Sequence, residues 1–273
     1  MKNQACVLRI EGTNCEEEAR QALSDVGIKA EIVNLKQLTH ECSEERHRNL
    51  SEYSMLFLPG GWSAGDYIRA GAIFAARLKS RMGEELQDYV ESGRMVLGVC
   101  NGFQILIELG LLPGWDGMSK QPEAVLAINQ NTRFQCRPAY LKHTGKCSLT
   151  GKIPKGRVLQ IPVAHAEGRL TFGTKNEEML KRLEKNGQIV FRYCRDDGSE
   201  ARGEFPWNPN GSLSDIAGIC NPEKNVLGMM PHPERVMNAC QQADWTRREY
   251  GTGDGRALFE SVANNLKKLR ISR

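Results

Sequence analysis

The sequence predicts an α/β fold in which a mostly parallel central sheet is covered by helices. Short apolar runs alternate with helix-forming segments over residues 5–110, which is the pattern of a parallel sheet with crossover helices. Two of these runs end abruptly in glycine-rich turns, at Pro59-Gly60-Gly61 and at Gly98-Val99-Cys100-Asn101-Gly102. The chain has 273 residues, of which 40% are hydrophobic, so it is long enough to bury a substantial core.

The first half of the chain supplies the alternation. We expect strands at residues 5–10, 28–35, 53–58 and 95–99. A helix over residues 16–26 ends at Gly27, a residue that commonly stops helices. Residues 39–52 are highly charged and predict either a surface helix or a solvated connection.

The second half is more varied. Residues 124–129 and 134–141 predict strands of a smaller β region or of the far edge of the sheet. Beyond them we expect a helix at 176–186, a strand at 188–193, a loop at 196–214, strands at 216–220 and 226–230, and a closing helix at 256–270. No linker-like composition divides the chain, so we expect one domain over residues 1–273.

Composition excludes several classes of protein. The net charge of +4 comes from well-mixed Lys, Arg, Asp and Glu, which argues against a nucleic-acid footprint. The nine cysteines include no Cys-x-x-Cys pair and no zinc-like spacing with histidine, so neither a disulfide framework nor a metal site is indicated. The apolar run at residues 5–10 is too short for a signal peptide, and residues 95–115 are too polar to span a membrane. A reducing cytoplasm is the expected compartment.

Residues 95–106 hold the candidate nucleophile. An apolar strand that turns sharply at Gly-x-Cys-x-Gly and continues as a helix is the cysteine form of a nucleophile elbow, in which the glycines leave room for a strained turn. Cys100 would then face the positive end of the following helix, which favours the thiolate. The alternative interpretation is a buried structural cysteine.

Two loops are expected to meet beside Cys100, because ligands gather at the carboxyl ends of parallel strands. One is the elbow, and the other is the glycine-rich stretch 59–66. Backbone N–H groups of its glycines, together with the N–H of Asn101, predict an oxyanion hole. The alternative is a glycine-rich turn without a ligand.

A cysteine nucleophile needs a histidine, and that histidine needs an orienting group. His40, His47 and His143 lie in or beside charged or polar stretches. Two His-x-Glu pairs remain, His165 with Glu167 and His232 with Glu234. In extended backbone, residues two apart point to the same side, so either glutamate is able to reach its histidine. Prolines on both sides of His232 favour that extended geometry. We therefore prefer His232 with Glu234 and keep His165 with Glu167 as the rival.

Longer motifs resemble a known family. They are Gly12-Thr13-Asn14-Cys15, the run from Pro59 to Ile73, the run from Gly98 to Leu106, the run from Ile161 to Gly168, the run from Ser214 to Gly218, and the run from Asn225 to Arg235. Together these motifs resemble the glutamine amidotransferase subunits of phosphoribosylformylglycinamidine synthase, in the class I (triad) amidotransferase superfamily. The resemblance implies a single flavodoxin-like amidotransferase domain.

The resemblance also implies roles for individual residues. The family's nucleophile falls on Cys100, its base on His232 and its orienting acid on Glu234. Its oxyanion contacts fall near Gly61 and Asn101, and its glutamine-binding side chain falls on Gln104. The sequence departs from the family pattern at Glu11, Trp62, Ala166 and the long loop 195–211, which leaves the role of the His165 region open.

The implied activity is hydrolysis of L-glutamine through a cysteine thioester, with ammonia passed on for purine synthesis. The chain lacks the Gly-x-x-x-x-Gly-Lys-Ser/Thr loop and the Gly-x-Gly-x-x-Gly fingerprint, so nothing in it looks built to bind ATP by those devices. We expect no cofactor in this chain. ATP and Mg are expected only in a partner synthetase, which in the family is sometimes joined by a third small subunit. Three alternatives remain: another triad amidotransferase, a cysteine hydrolase or peptidase that ignores glutamine, and a catalytically silent scaffold.

Overall fold

The structure is a computed structural model that describes residues 4–247 and 249–271. Its strands are β1 Gln4–Arg9, β2 Lys29–Asn34, β3 Met55–Leu58, β4 Met95–Val99, β5 Val125–Ala127, β6 Gln135–His143, β7 Val158–His165, β8 Arg169–Thr171, β9 Ile189–Cys194, β10 Ile216–Cys220 and β11 Val226–Met229. Its helices are α1 Glu16–Ser24, α2 Leu35–Leu38, α3 Ala72–Glu91, α4 Asn101–Leu109, α5 Asn176–Lys185 and α6 Arg256–Ile271. Short 3₁₀ turns join several of these elements.

A nine-stranded sheet forms the centre of the molecule, in the order β2-β1-β3-β4-β11-β10-β9-β6-β7. The strands from β2 to β11 in this order are parallel, and the remaining pairings are antiparallel. β3, β4 and β11 are adjacent and end at one edge, where the residues after them meet. A separate two-stranded sheet pairs β5 with β8.

The predicted α/β architecture is confirmed, including the parallel sheet with its helices and the smaller β region in the second half. The strand at 95–99 and the strand at 216–220 have the predicted bounds. Residues 39–52 form a solvated connection with two short 3₁₀ turns rather than a surface helix. Residues 135–143 belong to the far side of the main sheet, whereas residues 125–127 belong to the small one.

The antiparallel side of the sheet curls back over the parallel side. β7 is last in the strand order, yet its Pro162 carbonyl accepts a hydrogen bond of 2.8 Å from the N–H of His232, which lies beyond β11. The Ala164 carbonyl of the same strand accepts from the Cys100 sulfur at 3.5 Å. The outermost strand therefore forms one wall of the predicted site. Within residues 4–247 and 249–271, none of the helices is both long and apolar enough to cross a membrane.

Candidate active site

Cys100 occupies a strained turn between β4 and α4. Its backbone has φ 52° and ψ −107°, a region that side chains other than glycine adopt only when the surrounding structure enforces it. The flanking glycines allow the turn to pack. A Cβ on Gly102 would lie 1.8 Å from the Leu58 carbonyl oxygen, and one on Gly98 would lie 2.5 Å from the Gly102 carbonyl oxygen. The elbow predicted from Gly-x-Cys-x-Gly is therefore present.

His232 follows β11 and points at its own neighbour Glu234. The ring Nδ1 lies 2.6 Å from Glu234 Oε1, and both side chains are buried. Burial by itself would lower the pKa of His232, but the charge of Glu234 and the sulfur of Cys100 raise that pKa well above its ordinary value. A protonated ring beside Cys100 is the partner that a cysteine nucleophile requires.

Gly60 is the point at which these groups meet. A Cβ placed on this glycine would lie 2.7 Å from His232 Cε1, 3.2 Å from Cys15 Sγ and 3.4 Å from Cys100 Cβ. Cys100 of the elbow and the imidazole thus converge on the same face of Gly60, where a side chain would collide with them. The residue at position 60, two beyond the end of β3, must be small for this reason.

The glycine-rich loop is fixed to the elbow by side chains. Ser63 Oγ donates to Asn101 Oδ1 at 2.6 Å. Gly61 has φ 140° and pairs with Thr13 in an isolated β-bridge. The hydrogen bonds of this bridge are made by the Gly60 carbonyl and the Trp62 N–H, on either side of Gly61. Asn101 begins α4, so its N–H has no acceptor within the helix. The N–H groups of Gly61 and Asn101 therefore lie on two tethered loops beside Cys100.

Gln104 lies one helical turn beyond Asn101 and belongs to a buried network. Its Nε2 donates to the Glu167 carbonyl at 2.6 Å, and its Oε1 accepts from Asn101 Nδ2 at 3.0 Å. Glu167 Oε2 in turn accepts from the Ala70 N–H at 3.1 Å. This network joins the elbow helix, the glycine-rich loop and the loop after β7.

His165 does not pair with Glu167, contrary to the geometry expected of the rival His-x-Glu pair. The turn after β7 directs Glu167 to Ala70, while His165 Nδ1 lies 3.2 Å from Asn129 Oδ1. Burial, reinforced by the nearby His232, lowers the pKa of His165 to about 4. His165 is therefore a neutral, buried ring whose partners are amides.

The long loop 195–211 closes over the His165 turn. Asn210 Nδ2 donates to the Gly168 carbonyl at 2.8 Å and to the Tyr193 hydroxyl at 3.2 Å. Tyr193 is buried, and its pKa is raised by burial and by the proximity of Cys100. The loop thus supports the wall of the site, a role that its composition did not indicate.

Cys15 and Arg235 are neighbours of the site that the sequence did not single out. Cys15 Sγ, a ring nitrogen of His232 and a carboxylate oxygen of Glu234 lie within 4.8 Å of one another. Arg235 Nη2 donates to Cys15 Sγ at 3.1 Å. Because a guanidinium cation contacts the sulfur and Glu234 already binds Nδ1, we interpret the cluster as hydrogen-bonded rather than metal-binding. Their signals in the sequence were the motif ending in Cys15 and the motif ending in Arg235.

Comparison with known proteins agrees with this geometry. Residues 2–265 match the model of the CobB/CobQ-like glutamine amidotransferase domain. The chain belongs to this family. The class I amidotransferase fold is likewise found in the structure of PurLQS from Thermotoga maritima, where the similar chain is 31% identical with a TM-score of 0.72, and 97% of this chain and 100% of that one are covered.

Curated relatives of this amidotransferase are named phosphoribosylformylglycinamidine synthase subunit PurQ. The protein from Archaeoglobus fulgidus is 48% identical over 268 residues, with 96% of this chain and 97% of the relative covered. The protein from Thermus thermophilus is 44% identical over 233 residues, with 85% and 89% covered. The resemblance seen in the motifs is confirmed: the chain is a glutamine amidotransferase subunit of the phosphoribosylformylglycinamidine synthase type.

Proposed function

We propose that this chain hydrolyses L-glutamine through a thioester on Cys100 and passes the ammonia to a synthetase that makes phosphoribosylformylglycinamidine in purine biosynthesis. The observation that carries the proposal is the packing of Cys100 and His232 against Gly60, with Glu234 Oε1 2.6 Å from the far ring nitrogen. A catalytic triad consists of a nucleophile, a base beside it and an acid that orients the base. We assign these three residues as catalytic.

The reaction requires two proton movements by His232. The Cys100 thiolate adds to the side-chain amide carbon of glutamine, and the imidazolium gives its proton to the departing nitrogen as ammonia leaves. The neutral ring then takes a proton from water, which attacks the thioester and releases glutamate and the thiolate. Glu234 stabilises the imidazolium at both ends of this cycle, and the raised pKa of His232 means that the ring begins it protonated.

The carbonyl oxygen of glutamine acquires negative charge in both steps. We assign its stabilisation to the N–H groups of Gly61 and Asn101, which the Ser63–Asn101 hydrogen bond holds together. Removal of one such donor costs about 3 kcal/mol of barrier in a protease. Gln104 is the proposed contact for the substrate, although its amide groups also stabilise the network around Glu167.

Partners follow from the relatives. We infer that the chain, acting as a single domain over residues 1–273 in the cytoplasm, assembles with a PurL-type synthetase and a small PurS-type subunit. ATP and Mg would bind in the synthetase, and this chain would need no cofactor of its own. In isolation it would have little glutaminase activity.

The loop that carries Gly61 has the surface for such a contact. Trp62, Tyr67 and Ile68 are exposed by 53%, 89% and 75%, and clustered exposed apolar side chains commonly mark protein interfaces. A synthetase bound there would lie beside the oxyanion loop, where it is able to receive ammonia. Hydrogen exchange of residues 62–68 should slow when the complex forms, and unchanged exchange would contradict this placement.

The test is alkylation by a glutamine analogue, followed by tryptic mapping with and without the synthetase. Cleavage after Arg9 and Arg20 isolates Cys15, and cleavage after Arg94 and Lys120 isolates Cys100, so the neighbouring sulfurs are distinguished. We expect label on Cys100 and faster labelling in the complex. Label elsewhere, or full glutaminase turnover by a Cys100→Ala complex, would refute the assignment.

The same preparation separates the rival functions. A cysteine hydrolase or peptidase would turn over esters or peptides without using glutamine, and a silent scaffold would leave Cys100 unlabelled. Another triad amidotransferase would be labelled but would be activated by a different synthetase. The His165→Ala and His232→Ala variants test the base, and the larger loss of glutaminase rate is expected for His232.

A further inference from the structure

Cys15 is a second sulfur beside the catalytic ring, and it approaches the same face of Gly60 as the elbow. It immediately precedes α1, its N–H donates to the Gly60 carbonyl at 3.2 Å, and its side chain is only 2% exposed. The Cβ position of Gly60 is 3.2 Å from Cys15 Sγ and 2.7 Å from His232 Cε1. The imidazole therefore has two cysteines as neighbours, of which only Cys100 belongs to the elbow.

The turn that presents His232 also reaches Cys15. Pro233–Arg235 form one 3₁₀ turn, which directs Glu234 inward to the ring. Arg235, at the end of this turn, donates to Cys15 Sγ at 3.1 Å and approaches Glu18 of α1 at 3.4 Å. The start of α1 and the catalytic turn are thus joined through a cysteine and an arginine.

The ring of His232 has few other restraints. Glu234 holds Nδ1, but Nε2 is buried and has no hydrogen bond of standard geometry to the described residues. That nitrogen must face Cys100 and then the departing ammonia, so its direction decides the rate. The charge of Glu234, followed by the proximity of the Cys100 and Cys15 sulfurs, raises the pKa of the ring against the effect of burial.

We propose that Cys15, held by Arg235, is a positioning residue that keeps the His232 imidazole aligned between Cys100 and Glu234. Burial raises the pKa of the Cys15 thiol, so it is not a competing nucleophile at neutral pH. Its sulfur acts as a weak acceptor and as a packing surface for the ring. The proposal rests on the proposed function, since it assumes that His232 is the base.

Several charged or titratable groups surround His232 and enter any pH effect. They are Glu234 and Arg235 on its own turn, Cys100 on the elbow, Cys15 before α1, and His165 at the end of β7. Removal of the Cys15 sulfur takes away an acceptor from the protonated ring and leaves the Arg235 cation in place. The pH at which the His232 imidazolium loses its proton should therefore be lower.

The experiment compares Cys15→Ala with Cys15→Ser in the full complex with the synthetase. For Cys15→Ala we expect kcat for glutamine hydrolysis to fall about fivefold to tenfold, which corresponds to one weak hydrogen bond. KM should stay within about twofold, and the alkaline limb of the kcat profile, where His232 loses its proton, should move down by about half a pH unit. Cys15→Ser keeps an acceptor for Arg235. It should retain most of the wild-type kcat, and the alkaline limb of its pH profile should lie where it does in the wild type.

Cys6→Ala is the matched control, because Cys6 is a fully buried cysteine of β1. It should leave both kcat and the pH profile unchanged. A wild-type pH profile for Cys15→Ala would overturn the proposal. The proposal would also be overturned if Cys15→Ala and Cys6→Ala showed equal losses of activity and of melting temperature. If Cys15→Ala does not fold, Arg235→Lys decides, because it keeps the charge but removes the guanidinium that holds Cys15. An alkaline limb shifted to lower pH supports the proposal, and an unshifted limb overturns it.

Wild-type and Cys100→Ala complexes measured in parallel separate the two claims. An inactive wild-type complex, or an active Cys100→Ala complex, refutes the proposed function itself. An active wild type with an unaffected Cys15→Ala refutes only the role of Cys15.

Discussion

Replacement of Gly60 by alanine tests the catalytic geometry with the smallest possible change. The φ angle of Gly60 lies outside the left-handed region, so the backbone itself accepts alanine. The added Cβ would lie 2.7 Å from His232 Cε1, whereas carbon atoms in contact are about 3.5–4.0 Å apart. The ring must therefore move by about 1 Å, away from Gly60 and from its alignment with Cys100.

A misplacement of about 1 Å costs on the order of 100-fold in rate. We therefore expect kcat of the Gly60→Ala complex to fall about 100-fold, with a smaller change in KM. Overpacking should also lower the free energy of unfolding by about 1–3 kcal/mol. Steady-state glutaminase assays measure the first effect, and urea unfolding of the full chain measures the second.

Gly151→Ala is the control for this experiment, since nothing lies within 4 Å of its Cβ position and its φ is −60°. It should retain wild-type kcat and stability. A folded Gly60→Ala variant whose kcat stays within about threefold of wild type would refute the reasoning, because the imidazole would then tolerate a displacement that our account does not allow.

Two further predictions concern the histidines. Glu234→Gln should lower kcat about 10²- to 10⁴-fold, because the His232 imidazolium loses its buried carboxylate partner at 2.6 Å and the ring tautomer is no longer fixed. A loss of kcat below about tenfold in glutaminase assays would contradict the triad. His165 should destabilise the fold in acid. Its pKa is lowered to about 4, so below pH ~6.5 the unfolded chain binds a proton that the folded chain does not. Stability should fall by about 3 kcal/mol by pH ~4. Urea unfolding across this range should show a weaker pH dependence in His165→Gln, and an identical dependence would rule out this source.

Local signals predicted the parts of the fold that local interactions determine. The strand Met95–Val99 and its elbow were predictable because an apolar run, two glycines and a helix-forming segment are contiguous. The His-x-Glu pair between prolines was likewise visible in one segment, although Pro233–Arg235 form a 3₁₀ turn rather than the extended backbone expected. These features need no knowledge of distant segments.

Other parts depend on distant segments and were not predicted. The strand Val158–His165 contains Pro162, which pairs with Pro138 of the neighbouring strand, and prolines within a run argue against a strand. His165 receives its amide partners from Asn129 and Asn210, which are far from it in sequence. Cys15 likewise approaches His232 only because α1 packs beside the turn that carries Arg235. The residue pattern within one segment contains no information about contacts with distant segments.

The backbone of Cys100 places activity and stability in opposition at one residue. A side chain at φ 52° and ψ −107° costs on the order of 1–3 kcal/mol, and glycine would relieve that strain. The chemistry thus requires a cysteine at a position where glycine would make the fold more stable. A lineage no longer selected for ammonia production would be expected to lose this thiol early, and to gain folding free energy in doing so.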